Sequence, residues 1–109
     1  MSNPIDVAAA VILAENRILA ARRKPGIHLA GYWEFPGGKV EIGETPEQCL
    51  IRELQEELCI KANISGYLGE SLYDYGSKCI RLIAYQVEHV EGTFQLVDHD
   101  ELRWLTLEE

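Results

Sequence analysis

The sequence predicts an α+β domain: a mixed, partly curled β-sheet with one helix packed on one side. Three observations carry that expectation. Residues 5–13, IDVAAAVIL, are a short, continuously apolar and partly β-branched run, which is how a buried strand reads. After Thr45, Leu50, Leu54 and Leu58 recur every four residues, the period of a helix with one apolar face. Two further strand-like runs, 65–75 and 78–90, flank Gly76-Ser77 and read as a hairpin. At 109 residues, with 47% apolar and 26% charged residues, the chain suits a single domain, 1–109, with a core of its own.

Taken in order, AENR (14–17) is a turn, and ILAARR (18–23) is a second strand that leads into a basic cluster. KPGIHLAGY (24–32), with a proline and two glycines, is a loop. WEF (33–35) is a short strand that PGG (36–38) should break. Thr45-Pro46-Glu47-Gln48 is a helix start. Thr45 caps, Pro46 suits the first helical position, and Gln48 completes a capping box. Ile51 should lie beside the leucine stripe, and the helix should end near Leu58 or Cys59. Beyond the hairpin, Glu91-Gly92 is a turn, TFQLVD (93–98) a strand, DHDE (98–101) a loop, and LRWL (102–105) a final short strand. Thr106-Leu107-Glu108-Glu109 is another helix-start signal. It stands where the sequence ends, so the domain is expected to lack a C-terminal helix.

Several function classes are excluded. The net charge of −8 argues against a nucleic acid polymer as the main partner, because such binders carry a basic face. A small anionic substrate remains compatible if divalent cations stand between it and the acidic site. The longest apolar run, VAAAVILA, is too short to span a bilayer, so no membrane is expected. Cys49, Cys59 and Cys79 are odd in number and widely spaced, with no C-x-x-C pair. They read as buried free thiols of a cytoplasmic protein. His28, His89 and His99 have no partner pattern and read as surface or loop residues, while Trp33 reads as core packing.

The chemistry concentrates in RELQEELC, residues 52–59. Glu53, Glu56 and Glu57 stand at i, i+3 and i+4, where like charges on a helix repel by a few tenths of a kcal/mol per pair. A bare run of this kind is usually a solvated face. Here it stands in register with Gly38, Glu44 and Arg52. Carboxylates on neighbouring faces of one helix form a rigid set of oxygen ligands for a hard divalent cation. Arg52, four residues before Glu56, can brace that carboxylate. Gly37 and Gly38 let the backbone come close, so a carbonyl there can add a ligand. Hydrolysis of a phosphoanhydride needs such a cation, and a nearby carboxylate to take a proton.

Residues 38–60, GKVEIGETPEQCLIRELQEELCI, resemble the Nudix box, the signature of the Nudix hydrolases. The box is Gly, five residues, Glu, seven residues, then Arg-Glu-apolar-any-Glu-Glu-any-Gly-apolar. All its specified positions match except one: Cys59 stands where the box has Gly. A chance match at the charged and Gly positions is on the order of 1 in 10⁷ per window. WEFPGGKVEIGETPEQ (33–48) and HDELRWLTLEE (99–109) look most like the MutT and CTP pyrophosphohydrolase branch.

The resemblance implies a Nudix-type α/β/α sandwich with the box as loop–helix–loop. It implies hydrolysis of a nucleoside triphosphate to monophosphate and pyrophosphate, with Mg²⁺ or Mn²⁺ as cofactor. Oxidised or otherwise unwanted nucleotides, such as 8-oxo-dGTP or (d)CTP-type compounds, are the candidate substrates. Alternatives are another nucleoside diphosphate-X substrate such as ADP-ribose, or a silent nucleotide-binding module. Monomer and homodimer both remain open. It also implies roles. Glu53, Glu56 and Glu57, a Gly37 or Gly38 carbonyl and Asp98 would hold metal, and Glu53 is the first choice of general base. Glu44 would orient Arg52 or a metal-bound water. Phe35 would stack near the base, and Arg23 and Lys39 would face phosphates.

Overall fold

The computed structural model describes residues 4–74 and 76–106, and of His89 and Val90 the backbone alone. The sheet is built around β1 (Ile5–Ala14), the apolar run read first in the sequence. One edge of β1 runs parallel to β6 (Cys79–Glu91). Its other edge is divided. β4 (Gly37–Lys39) pairs antiparallel with Val7–Ala9, and β2 (Arg17–Arg23) takes over at Leu13 and Ala14. β2 also pairs antiparallel with β3 (Trp33–Glu34) and with β7 (His99–Thr106). β5 (Lys61–Asp74) pairs antiparallel with β6 and forms the far edge. The sheet is therefore mixed, as expected, but open where a curled one was expected. β1 hands its free edge from β4 to β2, and no pairing joins the β2–β3–β7 group to β5.

The single helix among the described residues, α1, spans Pro46–Leu58. Its start is the one read from the sequence. The Gln48 N–H donates to Thr45 Oγ1 at 3.1 Å, and the Thr45 N–H donates to Gln48 Oε1 at 2.9 Å. This reciprocal capping satisfies donors that the first turn otherwise leaves free. Leu50, Leu54 and Leu58 are fully buried, with Cys49 beside them, against Ala8, Ala10, Ile12 and Val87. Ile51 is a correction: it is 47% exposed. The buried stripe is centred between the Leu50–Leu54–Leu58 row and the row that begins at Cys49, which turns Ile51 outward. Glu53 and Glu57 follow Cys49 at four-residue intervals, so they flank the core along that second row.

α1 ends at Cys59, which is left-handed with φ 58°. The Cys59 N–H donates to the Gln55 carbonyl at 3.1 Å, and the Ile60 N–H donates to the Leu54 carbonyl at 3.4 Å. This closure satisfies the last carbonyls of the helix and normally employs Gly at the left-handed residue. The buried Ile60 anchors the chain as it leaves.

Other boundaries differ from the sequence reading. Pro36 ends β3, but Gly37 and Gly38 do not end the sheet; with Lys39 they form β4. Residues 93–98 form no strand. They are held by the packing of Phe94 on the core and by single bonds, among them from the Gln95 N–H to the Leu58 carbonyl and from Lys24 Nζ to the Val97 carbonyl. β5 begins four residues earlier than expected, and β7 absorbs three of the four DHDE residues. Trp33 is not core; it is 38% exposed, with the Arg103 and Arg22 guanidinium groups 4.7 and 5.8 Å from its ring. The expected helix start at 106–109 begins at the last residue of β7, and Leu107–Glu109 lie outside the described residues, as do Tyr75 and the side chain of His89.

Replacing Cys59 by Gly removes a Cβ from a left-handed residue, against some added freedom of the unfolded chain. We expect a net gain of about 0.5–1 kcal/mol, read as a higher urea midpoint at unchanged slope. A lower midpoint would show that the cysteine side chain makes a compensating contact.

Candidate active site

The arrangement begins with two glycines. Gly37 has φ +153°, and a Cβ there would lie on the Ala8 carbonyl oxygen. A Cβ on Gly38 would sit 2.5 Å from Glu53 Cδ. The absence of side chains thus lets β4 lie against β1 on one side and receive the Glu53 carboxylate on the other. Donation from Ala10 N–H to the Pro36 carbonyl, and from Val40 N–H to the Asp6 carbonyl, sets the ladder's phase. Alternation then pairs Gly38 with Ala8 and turns the Gly37 carbonyl away from β1. Of the two carbonyls named from the sequence, that of Gly37 is the one free of the ladder.

Cys49 secures β4 to the helix. Its buried Sγ lies 3.4 Å from the Gly38 carbonyl and 3.5 Å from that of Lys39, and burial pushes its thiol pKa up to about 12. Sequence reading gave Cys49 only a packing role; this contact needed the fold.

Arg52 stands at the centre of the charged residues. Its Nε and Nη2 donate to Glu44 Oε2 and Oε1 at 2.8 and 2.9 Å, a two-pronged pair. Its Nη1 donates to Glu53 Oε1 at 2.7 Å and to Glu56 Oε2 at 3.1 Å. The Glu41 N–H donates to Glu44 Oε1 at 3.0 Å. These bonds, with that of Arg52 foremost, hold the Glu44 carboxyl down at about 2. The same carboxylates hold the Arg52 proton more firmly than usual.

Glu57 has no such partner. Its Oε2 is buried without a hydrogen bond. Burial foremost, then the neighbouring carboxylates of Glu53, Glu34 and Asp98, raise its pKa well above the usual carboxylate range. Asp98 is brought near by Lys24, whose backbone N–H donates to the Asp98 carbonyl at 3.0 Å. A buried carboxylate facing three others is unfavourable unless a proton or a cation intervenes. This donor set, hard oxygens and one orphaned, fits a divalent cation. Among the described residues, no three acidic, His or Cys side chains are already gathered around one ion position. Glu53 and Glu56 are instead turned toward Arg52.

On the other side of β4 lies a cleft of about 550 Å³. Val7, Ala9, Ile80 and Leu82 line it with apolar surface, and Arg23, Glu34, Phe35 and Lys39 border it. Phe35 is 45% exposed, so it is not core packing. Arg23 Nε donates to the His28 carbonyl at 2.6 Å, and its Nη1 lies 3.3 Å from Glu34 Oε2. Gly38 belongs both to the cleft and to the carboxylate cluster, so the two adjoin. Glu34 was missed from the sequence, although it stands in WEFPGG immediately before the box. His99 is a correction: its side chain is wholly buried, 3.0 Å from Glu34 Oε2, because β7 pairs it with Arg23 on β2, the strand that also carries β3.

The comparisons with known proteins show the family. Residues 3–109 match the NUDIX domain family. The chain belongs to the Nudix hydrolases. It is 41% identical over 105 residues to the CTP pyrophosphohydrolase of Escherichia coli K12, covering 96% of this chain and 78% of that one. It is 40% identical over 89 residues to the 8-oxo-dGTP diphosphatase of the same organism, covering 81% and 69%. The solution structure of the Escherichia coli ORF135 protein superposes with a TM-score of 0.84 at 40% identity, covering 95% of this chain and 74% of that one. A MutT Nudix hydrolase from Burkholderia pseudomallei gives 0.86 at 29% identity, covering 99% and 87%. Nudix hydrolases use divalent metals, which the donor set here suits. No helix among the described residues is long and apolar enough to cross a membrane.

The raised Glu57 pKa has a consequence for the metal-free protein. A carboxyl whose folded value exceeds its unfolded one binds its proton more tightly when folded. Its contribution is present at low pH and is lost as pH rises from the ordinary carboxylate range toward the raised value. We expect the urea midpoint of the metal-free Glu57→Gln variant to fall less than that of the parent between about pH 5 and about pH 8. Identical pH dependence in the two proteins would refute the assignment.

Proposed function

We propose that this chain hydrolyses nucleoside triphosphates to the monophosphate and pyrophosphate with Mg²⁺, acting on (d)CTP-type or oxidised guanine nucleotides. One observation carries the reading: Glu53, on the helix that also carries Glu56 and Glu57, lies against Gly38, beside a cleft bordered by Arg23, Phe35 and Lys39. The names of the two Escherichia coli relatives support the same substrate class.

In this reading Glu53, Glu56, Glu57 and Asp98, with the Gly37 carbonyl, would hold the cation, which when bound would supply neutralisation of phosphate charge and a lowered pKa for a water. Glu53 takes the proton from the attacking water at a carboxylate oxygen, since it is only slightly exposed and already oriented by Arg52. Arg52 keeps Glu53 and Glu56 on one side of the helix, and Glu44 keeps Arg52 there. Phe35 offers an open aromatic face to the base, and the exposed Lys39 offers a cation to the phosphates.

The test is a panel of CTP, dCTP, 8-oxo-dGTP and ADP-ribose incubated with Mg²⁺, with products resolved by chromatography. A triphosphate yielding monophosphate and pyrophosphate is expected. Orthophosphate release, or turnover of ADP-ribose alone, would overturn the reading. Glu56→Gln is expected to reduce turnover by several orders of magnitude with the fold intact, since Glu56 is exposed and caps nothing. A near-normal rate would remove Glu56 from the site.

A further inference from the structure

His99 has no place in the roles given above, yet its polar side chain is wholly buried. Its Nε2 lies 3.0 Å from Glu34 Oε2, and its Nδ1 is buried with no partner. An ionised carboxylate only accepts hydrogen bonds, so Nε2 must carry the proton in this contact. Glu34 Oε2 also receives Arg23 Nη1 at 3.3 Å, and the Arg23 Nε is held by the His28 carbonyl at 2.6 Å. The three side chains thus form a series from the interior to the cleft. His99 holds Glu34, and Glu34 with His28 holds the guanidinium. The register gives the same picture, since His99 on β7 is the cross-strand partner of Arg23 on β2.

This arrangement alters what the Arg23 end of the cleft is suited to bind. A free guanidinium attracts phosphate, but one coupled to a carboxylate presents a donor next to an acceptor. Phosphate oxygens are acceptors only and are repelled by Glu34. A base edge or a sugar hydroxyl has donors and acceptors together and complements the pair. The apolar lining and the exposed Phe35 ring belong to the same cleft.

We propose that His99 is a positioning residue for nucleotide recognition. By donating to Glu34 it sets the Glu34–Arg23 pair to engage the neutral hydrogen-bonding part of the nucleotide, leaving the phosphates to Lys39 and the cation. The proposal rests on the cleft being the nucleotide site, and its test reads binding as well as turnover. CMP and inorganic pyrophosphate, each with Mg²⁺, are titrated into the parent chain, His99→Leu, His99→Gln, Glu34→Ala and the His99→Leu/Glu34→Ala double variant. His99→Leu and Glu34→Ala are each expected to weaken CMP about tenfold, equivalent to about 1.4 kcal/mol. Pyrophosphate affinity should be unchanged or higher. The double variant should be no weaker than Glu34→Ala alone, and His99→Gln, which keeps a donor near Nε2, should recover most of the loss. In turnover, the same losses should appear in KM far more than in kcat. The imidazole ¹⁵N spectrum of the parent should show Nε2 protonated, and this signal should move in Glu34→Ala.

CMP affinity in His99→Leu within twofold of the parent would overturn the proposal. So would a loss that multiplies with that of Glu34→Ala, or an equal loss for pyrophosphate. Should His99→Leu fail to fold, His99→Asn, whose amide is too short to reach Glu34, takes its place under the same criteria. If the parent binds CMP but turns over no triphosphate, the hydrolytic reading fails while the positioning role stands.

Discussion

The Arg52 guanidinium is the interaction on which the site depends. It is the only cation within bonding distance of Glu44, Glu53 and Glu56 among the described ion pairs, and it meets all three at 2.7–3.1 Å. The helix carries three carboxylates in five residues, and mutual repulsion would otherwise drive them apart into solvent. A planar fork of five N–H donors can serve several acceptors at once, which the compact ammonium of a lysine cannot do in this geometry. The two-pronged bond to Glu44 fixes the plane of the fork. Its remaining nitrogen then sets where Glu53 and Glu56 can stand. One positive charge does not balance this cluster, and Glu57, which no ion pair with Arg52 reaches, has its pKa raised by burial and by the neighbouring carboxylates. The metal-free protein is thus organised around a deficit of positive charge.

That cluster is tolerable because other forces secure the helix. Thr45 and Gln48 satisfy the first turn, and three leucines with Cys49 bury one face. Burial of a leucine side chain contributes roughly 1.5–3 kcal/mol, several times the repulsion of a carboxylate pair on a helix surface. The apolar stripe therefore decides where α1 lies, and the carboxylates accept the positions it leaves them. Glu53 and Glu57 follow Cys49 along one row, so the contact of Cys49 with β4 also brings Glu53 onto Gly38. β4 is the partition of the molecule: carboxylates on the helix side, the apolar cleft on the other. Only residues without side chains allow the partition to be this thin at Gly37 and Gly38.

How much of this was legible without the fold follows from the range of each interaction. The helix start, the leucine period and the terminator at Cys59 each depend on residues close together in the chain, and they stand where the sequence places them. The Arg52–Glu56 brace is likewise one helical turn. The orientation of Ile51 was misjudged because a stripe can drift to either flank, and only the packing against β1 and β6 selects one. Residues 93–98 carry strand-like composition but pair with no strand; the packing of Phe94 on the core and Trp104 and single bonds to Leu58 and Lys24 hold them instead. Gly37 and Gly38 read as a break because a glycine pair usually ends a strand; here β1 had an open edge to pair with them.

By itself, the sequence determined the helix, its caps and the charge pattern RELQEEL, because backbone hydrogen bonds and helical spacing are local. It therefore also determined the chemistry of the carboxylate set. The tertiary structure alone decided what those groups face. It buried Glu57, freed the Gly37 carbonyl, and joined Glu34 on β3 to His99, 65 residues away on β7. Such contacts depend on which strands share an edge, and that is settled by the burial of whole faces together.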